Sequence, residues 1–296
     1  MTNKDFLKKL KNYLFNKYLS FPTLKFLLNS KIDIVKNLYI DFCILISKKN
    51  KNFFNFFFSD NEENSRNTLY LDINENIANL ENNCEEILKN NGILVIENAL
   101  PKNEYFKIVE IFDNLKIKDN HSLRENECIT KYFEEIKISD FLNLNKISNY
   151  FTKKVFGKPL KPLAQFHVHR SKKIPESIIN GDNNMHIDRF LPNMKLYYAP
   201  FEITKDDAPF CYAVGSHKIN SQYIKYVKSA KYFSEDDTKA TEFLNCKKEL
   251  VCKKNSLIVA LTNGFHGRKS FLKIGSRQVV FLQYHKSFNK LSLIFG

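Results

Sequence analysis

Hydrophobic and polar residues near the amino terminus recur with helical spacing. Over residues 4–19, apolar side chains return every three or four positions with lysines on the opposite face, and Pro22 ends the pattern. A second stretch of this kind covers about residues 33–47. Its longest uncharged apolar run is about six residues, whereas a membrane span needs roughly 20. We predict two helices here and no transmembrane segment.

A change of composition between residues 47 and 66 predicts a domain boundary. This segment passes from basic through Phe-rich to acidic. We therefore assign residues 1–65 to a basic helical extension and residues 66–296 to the main domain. The extension either packs on the main domain or contacts a membrane surface or a partner protein through its basic amphipathic helix.

The main domain begins with helical periodicity and continues with short strands. A helix is predicted from Ile77 to Lys89, a strand over residues 92–100, and a second helix after Pro101 to about Asn114. From about residue 160, short apolar segments are separated by turn residues: QFHVHR, KLYYAPFEI, FCYAV, ELVCKK, SLIVALT and QVVFLQYHKS. Helices followed by a run of short strands predict an α+β domain built on a β-sandwich or barrel.

Composition and charge narrow the class of protein. The chain has 296 residues, 43% hydrophobic and 14% aromatic, as in a globular protein with a sizeable core. Of the net charge of +14, residues 1–51 contribute eight through eleven Lys and three Asp. This surplus favours an acidic membrane surface or an anionic small molecule as partner. The chain has six Arg against 40 Lys and no recognisable nucleic-acid motif, so no specific nucleic acid is expected.

The six cysteines bear on the cellular compartment. They are scattered through apolar segments without a C-x-x-C pair, and no secretory signal precedes them. We interpret them as reduced, mostly buried thiols. The chain is therefore expected to be cytoplasmic, with peripheral membrane contact as an alternative for its basic extension.

The stretch NNMHIDRF, residues 183–190, carries the first candidate chemistry. On an extended segment, residues two apart point to the same face, so His186 and Asp188 can bind one metal ion side by side. A third ligand must then come from a distant strand, and His266 follows the strand SLIVALT. Two imidazoles and one carboxylate form the facial triad that leaves positions open on Fe(II).

A fixed cation accompanies the three candidate ligands. Arg277 begins a strand eleven residues after His266. The open positions on the iron suit a 2-oxoacid and then dioxygen, and the far carboxylate of the 2-oxoacid suits the planar guanidinium of Arg. His217 lies in a Gly-Ser-His turn after the strand FCYAV, where we expect local hydrogen bonding and no metal ligation.

Three segments resemble the phytanoyl-CoA dioxygenase family of Fe(II)/2-oxoglutarate-dependent oxygenases. Together they fall within residues 90–296. The first is the strand and helix NNGILVIENALPKNEYFKIVEIFDNL. The second is HIDRFLPNMKLYYAPFEITKDDAPFCYAVGSHK, which contains H-x-D and the Gly-Ser-His turn. The third is SLIVALTNGFHGRKSFLKIGSRQVVFLQYH, with the distal histidine and the arginine.

This resemblance implies a fold and a set of site residues. The fold is a double-stranded β-helix (jelly-roll or cupin-like) core flanked by helices. His186, Asp188 and His266 are implied to bind Fe(II), and Arg277 to bind the co-substrate 2-oxoglutarate. Tyr198, on the strand after H-x-D, corresponds to a residue that lines the co-substrate pocket. The reaction also uses O2, and ascorbate supports many such enzymes.

Some positions depart from the family pattern or extend it. Ala208 stands where a glycine is usual, and Val214 replaces a proline before the Gly-Ser-His turn. Arg268 replaces a small hydroxyl residue and is a candidate second cation for substrate. His167 and His169 share one strand face, and they contact substrate or co-substrate if that face lines the barrel; otherwise they pack or lie at the surface.

The resemblance implies hydroxylation of an unactivated C–H bond, with release of succinate and CO2. Related halogenases lack the carboxylate ligand, so Asp188 favours hydroxylation or desaturation over halogenation. The substrate is expected to be a small molecule, either anionic or linked to a lipid or carrier. The alternatives are a non-catalytic β-helix protein that docks through its basic N-terminus, and a cupin-like metal enzyme that does not use 2-oxoglutarate.

Overall fold

The computed structural model describes most of the main domain. The described residues are 41, 69–72, 77–114, 138–170, 185–188, 193–229, 246–269 and 271–285. Apart from residue 41, all of them belong to one compact unit, Asn52–Lys286. The two helices predicted near the amino terminus, apart from residue 41, and the predicted boundary at residue 65 lie outside the described residues.

The described elements are four α-helices, one short 3-10 helix and nine strands. The helices are α1 (Ile77–Asn91), α2 (Lys102–Asp113), α3 (Leu142–Phe156) and α4 (Ser221–Ser229), and the 3-10 helix is Ile138–Asp140. The strands are β1 (Tyr70–Asp72), β2 (Ile93–Glu97), β3 (Leu163–Arg170), β4 (Asn193–Ala199), β5 (Phe210–Ala213), β6 (Lys247–Leu250), β7 (Ser256–Leu261), β8 (His266–Arg268) and β9 (Ser276–His285). The structure confirms the predicted helices α1 and α2 and the predicted strands except ELVCKK, which overlaps β6 only at Glu249 and Leu250. The elements α3, α4, β1 and β8 were not predicted.

The strands form two sheets that share one hydrophobic core. The larger sheet has the order β1-β2-β7-β4-β9-β3, and the smaller has the order β6-β5-β8. Only β1 and β2 pair in parallel among these ladders. Val95, Ile258 and Val279 of the larger sheet pack in one cluster with Phe210 and Tyr212 of the smaller. Two facing, mainly antiparallel sheets agree with the predicted jelly-roll-like core.

Helices cover the outer face of the larger sheet. Tyr198 on β4 is fully buried and points away from the core between the sheets, since its hydroxyl donates to Asn255 Oδ1 at 2.8 Å. On β9, the Tyr284 hydroxyl is hydrogen-bonded to the Ser148 hydroxyl of α3. The larger sheet is thus buried on both faces, and its inner face is available for a site.

Helix α3 begins without a capping side chain of its own. Its N-cap residue is Phe141, which makes no side-chain cap hydrogen bond. The buried carboxylate of Glu104 on α2 replaces the cap. It accepts hydrogen bonds from the backbone N–H of Asn143 at 2.9 Å and of Leu144 at 3.0 Å. A negative charge at a helix N-terminus is also favourable to the helix dipole.

We expect Glu104→Gln to destabilise the fold by about 1–2 kcal/mol, because an amide loses the charge and turns one acceptor into a donor. Urea unfolding of Glu104→Gln and of the exposed control Glu110→Gln measures the difference. Equal stability of the two variants would contradict the capping role of Glu104.

The Gly-Ser-His turn anchors the loop that leads to His266. His217 is fully buried, and its Nε2 lies 3.0 Å from the carbonyl oxygen of Lys89, which is a distant partner and not the local one expected. The His217 carbonyl accepts from Asn263 Nδ2 at 2.7 Å. Gly92 has φ +74, and a Cβ there would overlap the His217 ring. The turn therefore has a structural role beside the candidate site.

The helices and the cysteines of the described residues bear on membrane insertion and on disulfide formation. No helix within the described ranges is long and apolar enough to cross a membrane. Cys84, Cys211 and Cys252 are buried, and Cys246 is partly buried; none of these four forms a disulfide.

Candidate metal centre

The two candidate histidine ligands lie side by side at one edge of the smaller sheet. His186 forms an antiparallel bridge with His266 on β8. Each backbone N–H donates to the carbonyl oxygen of the other residue at 2.8 Å. Their rings are 4.6 Å apart between centroids. Backbone pairing thus joins two residues that are 80 positions apart in the chain.

Asp188 completes the cluster from the same face as His186. Its backbone N–H donates to the carbonyl oxygen of Thr262 at 3.0 Å, which continues the alignment with the β7–β8 connection. Asp188 Oδ1 lies 3.5 Å from His266 Nε2 and 3.9 Å from His186 Nε2. Among the described residues, this is the one group of His, Cys, Asp and Glu side chains whose donor atoms, all within 4.8 Å of one another, could hold a metal ion.

Hydrogen bonding orients the His266 ring. Its Nδ1 lies 2.9 Å from the carbonyl oxygen of Gly264, which can only accept. A proton on Nδ1 satisfies this carbonyl, so Nε2 is the ring nitrogen that faces Asp188, as is typical of metal-binding histidines. The Phe210 ring stacks on the His266 ring at 5.7 Å, and His266 is only 2% exposed. This arrangement presents one nitrogen of a nearly buried imidazole to the centre.

The Asp188 carboxylate is ionised despite its burial. Burial raises the pKa of Asp188, but the neighbouring His266 and Lys195 more than offset this effect and hold it well below the usual range. Asp188 contributes stability above its unfolded pKa, and this contribution is lost only as the pH falls through the lowered folded value. The centre therefore has an anionic oxygen donor at neutral pH.

The donor set fits a transition-metal ion such as Fe(II). Two imidazole nitrogens and one carboxylate oxygen suit iron and its neighbours, whereas Mg2+ and Ca2+ prefer oxygen ligands alone. Three protein donors on one side of an ion leave further coordination positions for small molecules. The arrangement can thus hold a metal ion and present it to co-substrate and oxygen.

Arg277 lies inside the molecule, as a co-substrate cation would. It is 8% exposed, and its Nη1 donates to the carbonyl oxygen of Ala208 at 2.5 Å. Ala208 has φ +55, a left-handed conformation that explains why glycine is usual at this position. A cavity of about 280 Å³ adjoins Arg277 and is lined by Asp113, Phe201, Glu202, Ile203, Ser276, Arg277 and Gln278.

Tyr197, and not Tyr198, is close enough to both Asp188 and Arg277 for their charges to act on its phenol. Burial raises the pKa of Tyr197 well above its ordinary value, Asp188 raises it further, and Arg277 lowers it. Tyr198 points to the opposite face of β4, where burial, Tyr105 and Glu104 raise the pKa of its phenol. The structure places the Tyr198 side chain on the face of β4 opposite to that of Lys195 and Tyr197. The alternation of residues along β4 explains the shift by one position.

Two residues on the same face of β4 were missed in the sequence. Lys195 Nζ lies 2.6 Å from Asp188 Oδ2, and Asn193 Nδ2 donates to the same oxygen at 3.2 Å. Asn193, Lys195 and Tyr197 alternate along the strand, so strand periodicity was the signal that could have found them. The contact between Lys195 and Asp188 corresponds to no sequence motif, so it could not be predicted directly.

The remaining candidate residues lie on neighbouring strands. Arg268 is two residues after His266 on β8, pairs with Phe210 across the ladder and is 6% exposed. His167 and His169 pair with Val279 and Arg277 in the β3–β9 ladder. The side chains of these two histidines are outside the described part of the chain. Their contact with substrate stays a prediction, as does that of Arg268.

The comparisons with known proteins bear on the fold. No protein-family model and no curated protein sequence matches the chain. Among solved structures, the non-heme alpha ketoglutarate dependent epimerase SnoN from nogalamycin biosynthesis has a TM-score of 0.51 at 10% identity, over 71% of this chain and 84% of SnoN. At this identity the likeness shows a shared fold, which is the jelly-roll-like core predicted from the sequence.

Two further solved structures align with lower scores. Iron-bound HygX from Streptomyces hygroscopicus is 17% identical over 69% of this chain and 85% of HygX, with a TM-score of 0.44. EctD from S. alaskensis with bound Fe is 13% identical over 70% of this chain and 77% of EctD, with a TM-score of 0.43. The class of fold therefore rests on the SnoN likeness and the two-sheet topology, and the function rests on the site residues.

Proposed function

We propose that the protein is an Fe(II)- and 2-oxoglutarate-dependent oxygenase of the phytanoyl-CoA dioxygenase type that hydroxylates an unactivated C–H bond of a small molecule. The observation that carries the proposal is the convergence of the donor atoms of His186, Asp188 and His266 within 4.8 Å. Free Asp-His contacts are common on protein surfaces, but this cluster lies at the mouth of a jelly-roll-like core and has a buried arginine on the same domain.

Each residue of the site has a definite part in the proposed reaction. His186 Nε2, Asp188 Oδ1 and His266 Nε2 would hold Fe(II), and the Arg277 guanidinium would bind the far carboxylate of 2-oxoglutarate. The bound iron, with 2-oxoglutarate and O2, supplies oxidation of a C–H bond coupled to formation of succinate and CO2. Phe210 stacks on the His266 ring and contacts the Tyr197 ring, so these two aromatic side chains would limit the access of water to the metal ligands.

Asp188 and Arg277 also decide between this proposal and its neighbours. A halogenating site lacks the carboxylate ligand, whereas Asp188 is present and held in place. A cupin-like enzyme without 2-oxoglutarate, or a non-catalytic protein, has no need for a planar cation inside the domain to bind the far carboxylate of a co-substrate, and the buried Arg277 supports that role. We therefore favour hydroxylation dependent on 2-oxoglutarate.

The proposed substrate is a small molecule with negative charge, either free or linked to a lipid or carrier. The lysine surplus of residues 1–51 supports attraction of an anion or an acidic surface. The buried Arg268, two residues after His266, supports a second cation near the reacting carbon. We place the protein in the cytoplasm, with peripheral contact to membrane through its basic extension.

The test is formation of succinate from 2-oxoglutarate by the purified protein with Fe(II) and ascorbate. We expect slow succinate formation even without substrate, and its loss when EDTA or His186→Ala removes the metal. Asp206→Asn, which changes an exposed acid paired with Lys273, is the matched control and should keep full activity. Metal-independent succinate formation, or equal rates for wild type and His186→Ala, would refute the proposal.

A further inference from the structure

The two oxygens of the Asp188 carboxylate have separate partners. Oδ1 faces the imidazoles, 3.5 Å from His266 Nε2 and 3.9 Å from His186 Nε2. Oδ2 is bound by Lys195 Nζ at 2.6 Å and by Asn193 Nδ2 at 3.2 Å. Lys195 and Asn193 therefore bind Oδ2 and make no contact with Oδ1, the oxygen that faces the imidazoles. Pairing of a buried charge alone does not explain why the two oxygens have different partners.

Lys195 is held firmly in the place where it meets Oδ2. It lies in the middle of β4, opposite Ala260 of β7 and Gln283 of β9. Its ammonium is 5.4 Å from the centroid of the Phe281 ring, and its side chain is 12% exposed. A mostly buried lysine side chain that lies over an aromatic ring has lost most of its rotamer freedom, so the ammonium is positioned before any ligand binds.

The backbone ties Asn193 to the same point. Thr262 accepts a hydrogen bond from the Asp188 N–H at 3.0 Å and donates its own N–H to the Asn193 carbonyl at 2.8 Å. One residue of the β7–β8 connection thus fixes both the metal-ligand segment and the start of β4. The Asn193 amide and the Asp188 carboxylate are held in register by this shared anchor.

We propose that Lys195, assisted by Asn193, holds Oδ2 of Asp188 so that the carboxylate can ligate a metal ion through Oδ1 alone. This inference rests on the proposed function of the site. A carboxylate that turned to offer both oxygens would occupy one more coordination position. With two imidazoles and a single oxygen, three positions stay open, which is the number that a co-substrate with two donor atoms and one oxygen molecule require. Lys195 is thus a positioning residue.

The lysine also balances the charge of the centre. Lys195 and Asp188 together are neutral, so a bound divalent ion leaves a charge of about +2 that a dianionic co-substrate can cancel. Without the ammonium, the centre would carry one positive charge less and attract the dianion less strongly. Loss of the ammonium, through its effects on denticity and on charge, should therefore lower the affinity for the co-substrate without lowering the affinity for the metal ion.

Lys195→Met tests this role, since methionine keeps a long apolar side chain over Phe281 but has no ammonium. We expect the variant to bind one Co2+ per chain, as the wild type does. The visible spectrum of the Co2+ protein should change, because the second carboxylate oxygen takes a coordination position that is open to water or co-substrate in the wild type. The affinity of the Ni2+-loaded protein for 2-oxoglutarate, measured by calorimetry, should fall about 10–100-fold, the usual range for partners of metal ligands.

Lys253→Met is the matched control. Lys253 pairs with Glu97 at 2.8 Å, but its side chain is 74% exposed, so both readouts should stay at wild-type values. Lys195→Gln, which retains a neutral donor, should lie between wild type and Lys195→Met in 2-oxoglutarate affinity, and it replaces Lys195→Met if that variant does not fold.

The outcomes separate this inference from the proposed function. If the wild type binds no Co2+ or no 2-oxoglutarate, the proposed function fails, and the role of Lys195 fails with it. If the wild type binds both, but the Lys195 variants show wild-type absorption and wild-type 2-oxoglutarate affinity, the positioning role is overturned and the oxygenase stands. A crystal structure of metal-loaded wild type with both Asp188 oxygens on the metal would also overturn it.

Discussion

Asp188→Ala is expected to reduce the affinity for Fe2+ or Co2+ by more than a hundredfold and to abolish succinate formation. Outer-shell changes alone cost roughly 10–100-fold in metal affinity, and Asp188 is a direct donor in the cluster. The substitution also removes the carboxylate that lies 2.6 Å from the Lys195 ammonium, so this positive charge then stands beside two imidazoles without its anionic partner. The charge of the centre changes from neutral to +1, which repels a divalent cation.

A second variant separates the two causes. Asp188→Ala/Lys195→Met removes the stranded ammonium together with the carboxylate. We expect this double variant to regain thermal stability relative to Asp188→Ala, because a buried charge without a partner is costly. It should still bind metal far more weakly than the wild type, since two imidazoles alone remain. Calorimetric titration with Co2+ and thermal unfolding in EDTA give the two quantities, and tight Co2+ binding by either variant would refute the assignment of Asp188 as a ligand.

Much of the metal cluster could be predicted from sequence because it depends on strand geometry. The i, i+2 spacing of His186 and Asp188 places them on one face of an extended segment, whatever the rest of the fold. His266 follows a segment, SLIVALT, whose six residues in β7 are all buried. An uninterrupted apolar run of that length is typical of a central strand. The residues that follow such a strand have a well-defined position, and there a side chain can contact the H-x-D segment.

The partners of these residues could not be predicted, because they depend on register between distant strands. Lys195 reaches Asp188 only because Asn193 and Asp188 are both bonded to Thr262. The same cause explains why Tyr198 was assigned to the inner face of β4. One step along the strand exchanges the core face for the face that the helices cover, and the sequence motif does not show which residues point to which face. Tyr197 and Lys195 share the inner face, and Tyr198 pairs its hydroxyl with Asn255 on the other.

The elements that sequence analysis missed have local reasons. β1 and β8 have three residues each, too few to show a period of two. Helix α3 contains three asparagines and starts at Phe141 without a capping side chain, and the missing cap comes from Glu104, which is 39 residues away from Asn143. A capping group that belongs to another helix cannot be recognised from the sequence of the helix that it caps.

Arg277→Met is expected to weaken 2-oxoglutarate binding about a hundredfold while the protein still takes up one metal ion per chain. A charge-assisted, two-pronged hydrogen bond to a carboxylate contributes roughly 1.5–3 kcal/mol, and each 1.4 kcal/mol is a factor of about ten in affinity. Methionine fills part of the space but offers no donor to an anion. The measurement is calorimetric titration of the Ni2+-loaded protein with 2-oxoglutarate, beside a titration of the apoprotein with Ni2+.

Two further variants make the assignment specific to Arg277. Arg277→Lys keeps the charge without the planar fork, so its affinity for 2-oxoglutarate should lie between those of wild type and Arg277→Met. Arg268→Met removes the other guanidinium that is buried among the described residues, on the strand of His266. It should leave 2-oxoglutarate affinity within about threefold while weakening the binding of an anionic substrate. If Arg268→Met instead gave the hundredfold loss and Arg277→Met did not, the co-substrate would lie along β8, and the cavity beside Arg277 would be left for the substrate.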